Sequence, residues 1–153
     1  PDIQVVRNDG DAVAEIEKRK PAAVVISPGL VAGKRRDLCG SGSEAGGFHS
    51  YFRCVPGASA ICQAYGTTVS YAKELMHGKQ SLTKVDLSCP LFAGCPEKIP
   101  VARYHSLAAK EDTLLDCLGV TARTEDGEIM AVQHKKYRVY GVQFHPESIM
   151  TPV

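Results

Sequence analysis

A histidine and a glutamate stand two residues apart near the end of the sequence, as His145-Pro146-Glu147, directly after an apolar run. Residues 139–144 alternate with a period of two, which predicts a strand, and Pro146 ends it because proline has no N–H. A carboxylate so close to an imidazole can hold one tautomer and stabilise the protonated ring, as the base that activates a nucleophile requires. The alternative is a surface turn after an edge strand, and these residues alone leave it open.

The amino-acid composition is typical of a soluble globular protein. The 153 residues include 44% hydrophobic and 23% charged residues, which is ordinary for one soluble globular domain. The net charge of +1 gives no electrostatic reason to expect a nucleic acid or an anionic membrane as partner. No apolar run approaches the length of a membrane span and no signal peptide opens the chain, so we expect a cytoplasmic protein.

Six cysteines form no Cys-x-x-Cys pair, so a zinc site or a redox motif is not expected, and no metal or cofactor is predicted. We interpret them as reduced thiols, and a disulfide framework is the weaker interpretation at this chain length. They are Cys39, Cys54, Cys62, Cys89, Cys95 and Cys117.

The first elements follow the order of a parallel α/β sheet. Ile3–Arg7 is predicted to be a short strand, Ala12–Lys20 an amphipathic helix, and Ala22–Ile26 a strand buried on both faces. The loop Ser27-Pro28-Gly29 follows at the carboxyl end of that strand. Strand, helix, buried strand and glycine loop together predict an α/β fold.

This pattern stops at Leu30 and returns only at Ala60, since residues 30–59 have neither helical nor strand periodicity. After that segment the sequence predicts a helix and several short strands, with a hairpin turn at residues 125–128. The predicted helix is Ala60–Tyr65, and the predicted strands are Thr67–Tyr71, Lys84–Leu87, Ile99–Tyr104, Cys117–Arg123, Ile129–His134 and Val139–Phe144.

Four blocks in order resemble the class I (triad) glutamine amidotransferases: residues 24–29, 72–79, 103–107 and 141–148. Met76-His77-Gly78-Lys79 and Tyr104-His105-Ser106-Leu107 resemble anthranilate synthase component II and its relative in para-aminobenzoate synthase in particular. The resemblance implies one flavodoxin-like α/β domain over residues 1–153, with a mostly parallel central sheet and helices on both faces. Relative to the family, the first strand and the last helix are expected to be missing.

The same resemblance implies a glutaminase. In the family a cysteine thiolate attacks the side-chain amide of L-glutamine, a histidine acts as general base and a glutamate orients it. His145 and Glu147 would carry those last two roles. Gly29 would lie beside the oxyanion, and Ser106 and Leu107 would hold the amino-acid end of the substrate through backbone groups.

The implied partner is a chorismate-binding synthase large subunit, which receives the ammonia. Anthranilate synthesis in the tryptophan pathway is the leading interpretation, and para-aminobenzoate synthesis for folate is the alternative. A second alternative is a catalytically inactive, amidotransferase-like binding subunit. Glutamine hydrolysis would distinguish the active subunit from the inactive one.

The family's nucleophile motif, Gly-Val-Cys-Leu-Gly-His-Gln, is absent, and residues 53–59 stand in its place. Without gaps Val55 occupies the nucleophile position, so Cys54, one residue away, is a doubtful substitute because one residue turns a strand side chain to the other face. Codons for residues 53–59 can be chosen so that a one-base step restores the first six motif residues. We therefore predict that residues 30–59 are the family's sequence read out of frame.

Overall fold

The structure is a computed structural model, and it describes residues 2–6, 12–26, 51–53, 57–72 and 77–152. Within these residues the α-helices are α1 (Ala12–Arg19) and α2 (Gly57–Ala64), and 3-10 turns lie at Pro90–Phe92 and Glu111–Thr113. The strands are β1 (Val24–Ile26), β2 (Tyr51–Arg53), β3 (Val69–Tyr71), β4 (Lys79–Val85), β5 (Lys98–Arg103), β6 (Leu107–Ala109), β7 (Leu118–Thr124), β8 (Ile129–His134) and β9 (Val139–Val142).

Seven strands form one sheet in the order β1-β2-β9-β8-β7-β4-β5, and β3 pairs with β6 in a separate two-stranded sheet. β1, β2 and β9 run parallel, and the remaining pairings of the large sheet are antiparallel. The predicted α/β class is confirmed. Among the described strands of the large sheet, however, antiparallel pairings outnumber parallel ones, which differs from the mostly parallel sheet that we expect. Short connections explain two of these pairings, β7–β8 and β8–β9, because strands joined by a tight turn can pair only antiparallel.

The hairpin of β7 and β8 illustrates such a connection. Gly127 has a φ of +83°, a backbone conformation that glycine adopts without steric cost, and its N–H donates to the carbonyl of Thr124 at 2.9 Å. The Thr124 N–H donates in turn to the carbonyl of Glu128 at 3.1 Å. The turn predicted at residues 125–128 is therefore confirmed.

The prediction of a strand at Ile3–Arg7 is wrong over its described part. Residues 2–6 have no regular secondary structure, and the side chains of Ile3 and Val5 are 79% and 91% exposed. An alternating apolar pattern yields a strand only where a neighbour completes the hydrogen bonds, and no described strand pairs with this segment.

The second predicted strand exists but differs in burial. β1 covers three of the five residues predicted, and Val25 is 65% exposed rather than buried. Among the described strands β1 pairs with β2 alone, so one of its edges has no described neighbour. An edge strand cannot have the fully covered environment that the apolar run predicts.

Part of the aperiodic segment 30–59 is regular. β2 lies inside it, and α2 begins at Gly57, three residues before the helix that the sequence predicts. Tertiary pairing explains β2, because three residues without a periodic pattern are held between β1 and β9. The remaining residues of the segment lie outside the described ranges.

Two clusters of buried side chains form the core. One joins β4, β5, β7, β8 and β9 with the turn at residues 90–92, and the other joins α2 to β7, β8 and β9. Each fully buried aliphatic or aromatic side chain stabilises the fold by roughly 1.5–3 kcal/mol. Within the described residues, α2 packs against β8 and β9 and so provides one of the two expected helical faces.

The contact between α2 and β9 depends on Gly141. A Cβ atom at this position would lie 2.6 Å from Ile61 Cδ1 and 2.8 Å from the carbonyl carbon and oxygen of Gly57. Because two of those atoms are backbone, the overlap could be relieved only by moving the helix. Gly141 thus sets how closely the start of α2 approaches the sheet.

The described helices are too short and too polar for any of them to cross a membrane.

Candidate functional site

The His145 and Glu147 side chains form the hydrogen bond that their spacing predicts. Nδ1 of His145 lies 2.7 Å from Oε1 of Glu147, and the two side chains are 21% and 62% exposed. The carboxylate accepts, so Nδ1 carries the proton and the neutral ring keeps its lone pair on Nε2. An imidazole in this tautomer can accept a proton at Nε2 while the carboxylate stabilises the resulting charge.

The ionised form of Glu147 is favoured. Its partial burial acts to raise the pKa of the carboxyl, but the hydrogen bond with His145, a bond to its own backbone and the charge of His145 together hold that pKa below its usual value. The carboxylate is therefore present as an acceptor throughout the neutral pH range.

The backbone of His145 is held on two sides. Its N–H donates to the carbonyl of Ala102 on β5 at 3.2 Å, and its carbonyl accepts the hydroxyl of Thr151 at 2.7 Å. Oγ1 of Thr151 also accepts the Ala102 N–H at 3.0 Å. The buried threonine therefore joins the histidine to β5, which lies at one edge of the sheet among the described strands. These bonds fix the position of the His145 backbone, from which the imidazole extends.

The imidazole of His145 also has an aromatic neighbour. The ring of Tyr104 meets it edge-to-face, with centroids 5.0 Å apart at 84°, and the ring of His77 meets Tyr104 at 5.6 Å and 86°. Edge-to-face packing of this kind stabilises ring orientations. His77 thus contacts the site only through Tyr104 among the ring contacts of the described residues.

The parallel strand β2 brings a second chain segment to the same edge of the sheet. Arg53, the last residue of β2, pairs with Gly141 on β9, so the two strands end side by side. Residues 54–56 then connect β2 to α2, whose first residue, Gly57, packs on Gly141. Cys54 belongs to this connection and lies outside the described residues, as does Gly29.

Ser106 lies between β5 and β6, and Leu107 is the first residue of β6. The carbonyl of Ser106 accepts the Ala72 N–H at 2.9 Å. The carbonyl of Leu107 accepts from two side chains, His105 Nδ1 at 3.1 Å and Gln143 Nε2 at 3.2 Å. Gln143 precedes His145 by two residues. Its side chain therefore links the predicted substrate segment to the stretch of chain that carries the histidine.

A buried charged cluster lies behind this segment, and the sequence predictions did not include it. Arg103 and Glu128 are 1% and 4% exposed, and Nη2 of the arginine lies 2.7 Å from Oε1 of the glutamate. His105 Nε2 lies 3.2 Å from the same oxygen and 3.3 Å from Nε of Arg103. The sequence signal for this cluster was an arginine two residues before a histidine in the block 103–107. Their partner Glu128 gave no such signal, because it lies in the turn before β8, far from this block in the sequence.

His105 belongs to this cluster as a neutral ring. Its burial lowers the pKa of the imidazole, the charge of Glu128 opposes that effect, and the charge of Arg103 adds to it. The bond from Nδ1 to the Leu107 carbonyl requires a proton on Nδ1, which leaves Nε2 to accept from Arg103.

The four described cysteines, Cys62, Cys89, Cys95 and Cys117, are free thiols, as predicted. Cys62 and Cys89 are fully buried, and burial raises the pKa of Cys62 to about 12. A thiol with such a pKa is not a nucleophile at neutral pH. Within the described residues there is no group of three His, Cys, Asp or Glu side chains arranged to hold a metal ion.

Comparison with protein families matches residues 2–153 to the family described as glutamine amidotransferase class-I. The multifunctional tryptophan biosynthesis protein of Pichia angusta is 45% identical over 154 residues, which cover 97% of this chain and 41% of that protein. Aminodeoxychorismate/anthranilate synthase component 2 of Bacillus subtilis is 41% identical over 154 residues, covering 98% of this chain and 77% of that protein. The chain thus spans less than half the length of the first relative.

A solved structure from Thermoplasma acidophilum, described as one of the subunits of a GMP synthase, has a TM-score of 0.81 to this chain. The match covers 97% of this chain and 73% of that one at 24% identity. At this identity the likeness concerns the fold alone, and it agrees with the predicted α/β architecture.

Proposed function

This chain belongs to the glutamine amidotransferase class-I family, and on that premise we propose that it is a glutaminase subunit. It hydrolyses L-glutamine and passes the ammonia to a chorismate-using synthase subunit. The observation that carries the proposal is the His145–Glu147 hydrogen bond of 2.7 Å, at the sheet edge where β2 leads towards α2.

The reaction begins with a cysteine of the connection 54–56, where the sequence has Cys54. His145 takes the thiol proton, and the sulfur attacks the carbonyl carbon of the glutamine side-chain amide. The protonated imidazole then gives that proton to the departing nitrogen, so ammonia leaves and a thioester remains. Water, deprotonated by His145, cleaves the thioester to glutamate and the free thiol. Glu147 stabilises the imidazolium at each transfer.

Two backbone regions bind the substrate in this proposal. Gly29 is the residue that we propose beside the oxyanion that forms on the amide carbonyl. Ser106 and Leu107 hold the amino-acid end of glutamine. The internal bonds to both of their carbonyls support this role, since they fix the backbone of the segment before substrate arrives.

The proposed partner follows from the relatives. The Pichia angusta protein is named for tryptophan biosynthesis, and the Bacillus subtilis protein is named for both aminodeoxychorismate and anthranilate synthase. We therefore propose anthranilate synthesis in the cytoplasm as the context and para-aminobenzoate synthesis as the alternative. In both, a large subunit binds chorismate and consumes the ammonia.

One observation favours a second candidate, a subunit of the same fold without glutaminase activity. The sequence has Val55 where the family has its cysteine, and Cys54 is displaced by one residue. Such a subunit would retain the surface that binds the synthase and would leave ammonia supply to the solution.

Glutamate release and synthase turnover test the proposal, with the full chain and a chorismate-using anthranilate synthase large subunit. The wild type should release glutamate and support synthesis from glutamine. His145→Ala should abolish both, while synthesis from ammonium salts continues at the wild-type rate. Equal loss of the glutamine and ammonia reactions would contradict the division of labour, and absence of glutamate release by the wild type would establish the second candidate. Formation of aminodeoxychorismate with the corresponding large subunit would favour the alternative pathway.

A further inference from the structure

We propose that Gln143 is a positioning residue that ties the substrate segment Ser106–Leu107 to the first turn of α2. The inference rests on the proposed function, because it concerns how the glutamine-binding backbone and the nucleophile connection keep a fixed separation. No contact between Gln143 and the substrate is involved.

The side chain of Gln143 is fully buried and its amide is bonded at both ends. Oε1 accepts the backbone N–H of Ser59 at 3.2 Å, a bond that does not depend on the side chain at position 59, and the Ser59 hydroxyl at 2.9 Å. Nε2 donates to the carbonyl of Leu107 at 3.2 Å. The amide orientation is unambiguous, since a backbone N–H needs an acceptor and a carbonyl needs a donor. One side chain therefore bridges the nucleophile helix and the substrate segment.

The position of Gln143 on the sheet makes this bridge rigid. It follows the last residue of β9, and its backbone N–H donates to the carbonyl of Met130 on β8 at 2.8 Å. Two residues further on, His145 is bonded to Ala102 on β5. The bridge thus stands on the same backbone that carries the proposed general base.

Leu107 occupies a register position in which its own backbone groups face the bridge. It pairs with Tyr71, and hydrogen bonds join the adjacent pair Ala72–Ser106 and, further along the same alternation, the pair Thr68–Lys110. In an antiparallel ladder the intervening residue directs its N–H and C=O away from the neighbouring strand. The Leu107 carbonyl is occupied by Gln143 and His105. Its N–H is therefore the group that this residue can offer to the carboxylate of an amino acid.

Removal of the bridge should alter both substrate binding and reaction geometry. The substrate segment would keep the bond from His105 and the packing of β6 on α2 but would lose its hydrogen-bonded link to α2. A misplacement of about 1 Å between bound substrate and nucleophile can cost on the order of 100-fold in rate. Loss of kcat together with a raised KM for glutamine is thus the expected signature.

The test compares Gln143→Leu and Gln143→Glu with a matched control, Gln133→Leu. Gln133 is half-buried on the neighbouring strand β8 and has no contact with either segment among the bonds described. Glutaminase kinetics on the full chain should show kcat/KM lowered roughly 10–100-fold in Gln143→Leu, with the control near wild type.

Gln143→Glu supplies a readout that a merely structural role would not change. A carboxylate can accept from Ser59 but cannot donate to Leu107, whereas the neutral acid can do both. Burial favours the neutral acid, so kcat/KM relative to wild type should recover as the pH falls from about 8 to about 6. A ratio that stays flat over this range would overturn the proposal.

Amide hydrogen exchange separates failure of this inference from failure of the proposed function. In Gln143→Leu, exchange should accelerate in peptides covering residues 105–109 and 57–61, and it should stay at the wild-type rate in residues 118–124. This result is expected even if the wild type releases no glutamate. Unchanged exchange in the first two peptides, or an equal increase in all three, would overturn the bridge.

Discussion

At the scale of single residues, the position of His145 depends on hydrogen bonds to its backbone N–H and carbonyl. Thr151 accepts from Ala102 and donates to the His145 carbonyl, so one hydroxyl serves both bonds. Neither bond is visible in the sequence, because Thr151 follows the His-Pro-Glu block without any periodic pattern. The Nδ1–Oε1 bond of the predicted pair, by contrast, follows from a spacing of two residues and is observed. The catalytic roles of the pair remain predictions.

Thr151→Val should therefore impair the protein in two ways. The isosteric change removes both bonds and takes away the acceptor of the Ala102 N–H, whereas the His145 carbonyl keeps the Ser148 N–H at 3.2 Å. Loss of a partner by a buried N–H costs about 1–3 kcal/mol. The free energy of unfolding from urea titration should fall by that amount, and kcat for glutamine should fall with it. Thr151→Ser, which keeps the hydroxyl, is the control. Equal kcat in the valine and serine variants would show that the hydroxyl does not position His145.

A pH dependence follows from His105. Its pKa is lowered in the fold by burial, so the unfolded chain binds a proton in a range where the folded protein does not. Stability should be complete above the ordinary histidine pKa of about 6.5 and should decline as the pH falls below it towards the lowered pKa. His134 acts in the same direction, since burial and Lys136 lower its pKa.

Urea unfolding between about pH 7.5 and about pH 5.5 measures this effect. The slope of the unfolding free energy with pH should decrease in His105→Gln and in His134→Gln separately, and further in the double variant. A slope that both single variants leave unchanged would contradict the assignment. Arg103, Glu128 and Asp126, which face His105, are kept in all variants.

At the scale of elements, Gly141 allows the close approach of α2 to β9. Gly141→Ala should push the helix from the sheet, because the added Cβ would overlap the Gly57 backbone. Overpacking of this kind costs roughly 1–3 kcal/mol. Gly119→Ala on β7 is a matched control, since its nearest atoms would lie at 3.9 Å, an ordinary contact distance.

Thermal unfolding and glutamate release together test this prediction. Gly141→Ala should lower the Tm and the activity, whereas Gly119→Ala should change neither appreciably. If Gly141→Ala were as stable and active as the control Gly119→Ala, the close contact between α2 and β9 would not be needed for stability or activity.

The β2–α2 connection also carries the predicted frame disruption. A strand ending at Arg53 and a helix beginning at Gly57 surround the position at which the family has its nucleophile. If the printed residues 30–59 are the family's sequence read out of frame and the protein itself carries the restored frame, mass mapping of tryptic peptides should find Gly-Val-Cys-Leu-Gly-His-Gln, and that is the expected result. A peptide beginning Cys54-Val55-Pro56 would contradict it.

Local patterns predicted the elements whose partners are near in sequence. β8 has the predicted bounds, and the turn before it is where the sequence places it. β2 was missed because its strand character comes from β1 and β9, which are distant in the chain. The Arg103–Glu128 ion pair was missed for the same reason, since its members lie 25 residues apart and meet only in the folded core.

At the scale of the whole molecule, the described sheet has a parallel section and an antiparallel section that share β9. The parallel section brings the carboxyl ends of β2 and β9 side by side at one edge, and the antiparallel section, through Ala102 on β5, supports His145. Ligands of α/β sheets bind at such carboxyl ends of parallel strands. The proposed site therefore lies at the carboxyl ends of the parallel strands, and Gln143 follows β9, the strand that the parallel and antiparallel sections share.

Covalent capture of the nucleophile tests the central claim most directly. The full chain is incubated with a glutamine analogue that carries an electrophilic carbon in place of the side-chain amide, and the labelled peptide is identified by mass spectrometry. The account predicts one label on a cysteine of the connection 54–56, protection by L-glutamine, and loss of labelling in His145→Ala. Labelling of Cys62, Cys89, Cys95 or Cys117 instead, or equal labelling of the wild type and His145→Ala, would contradict it.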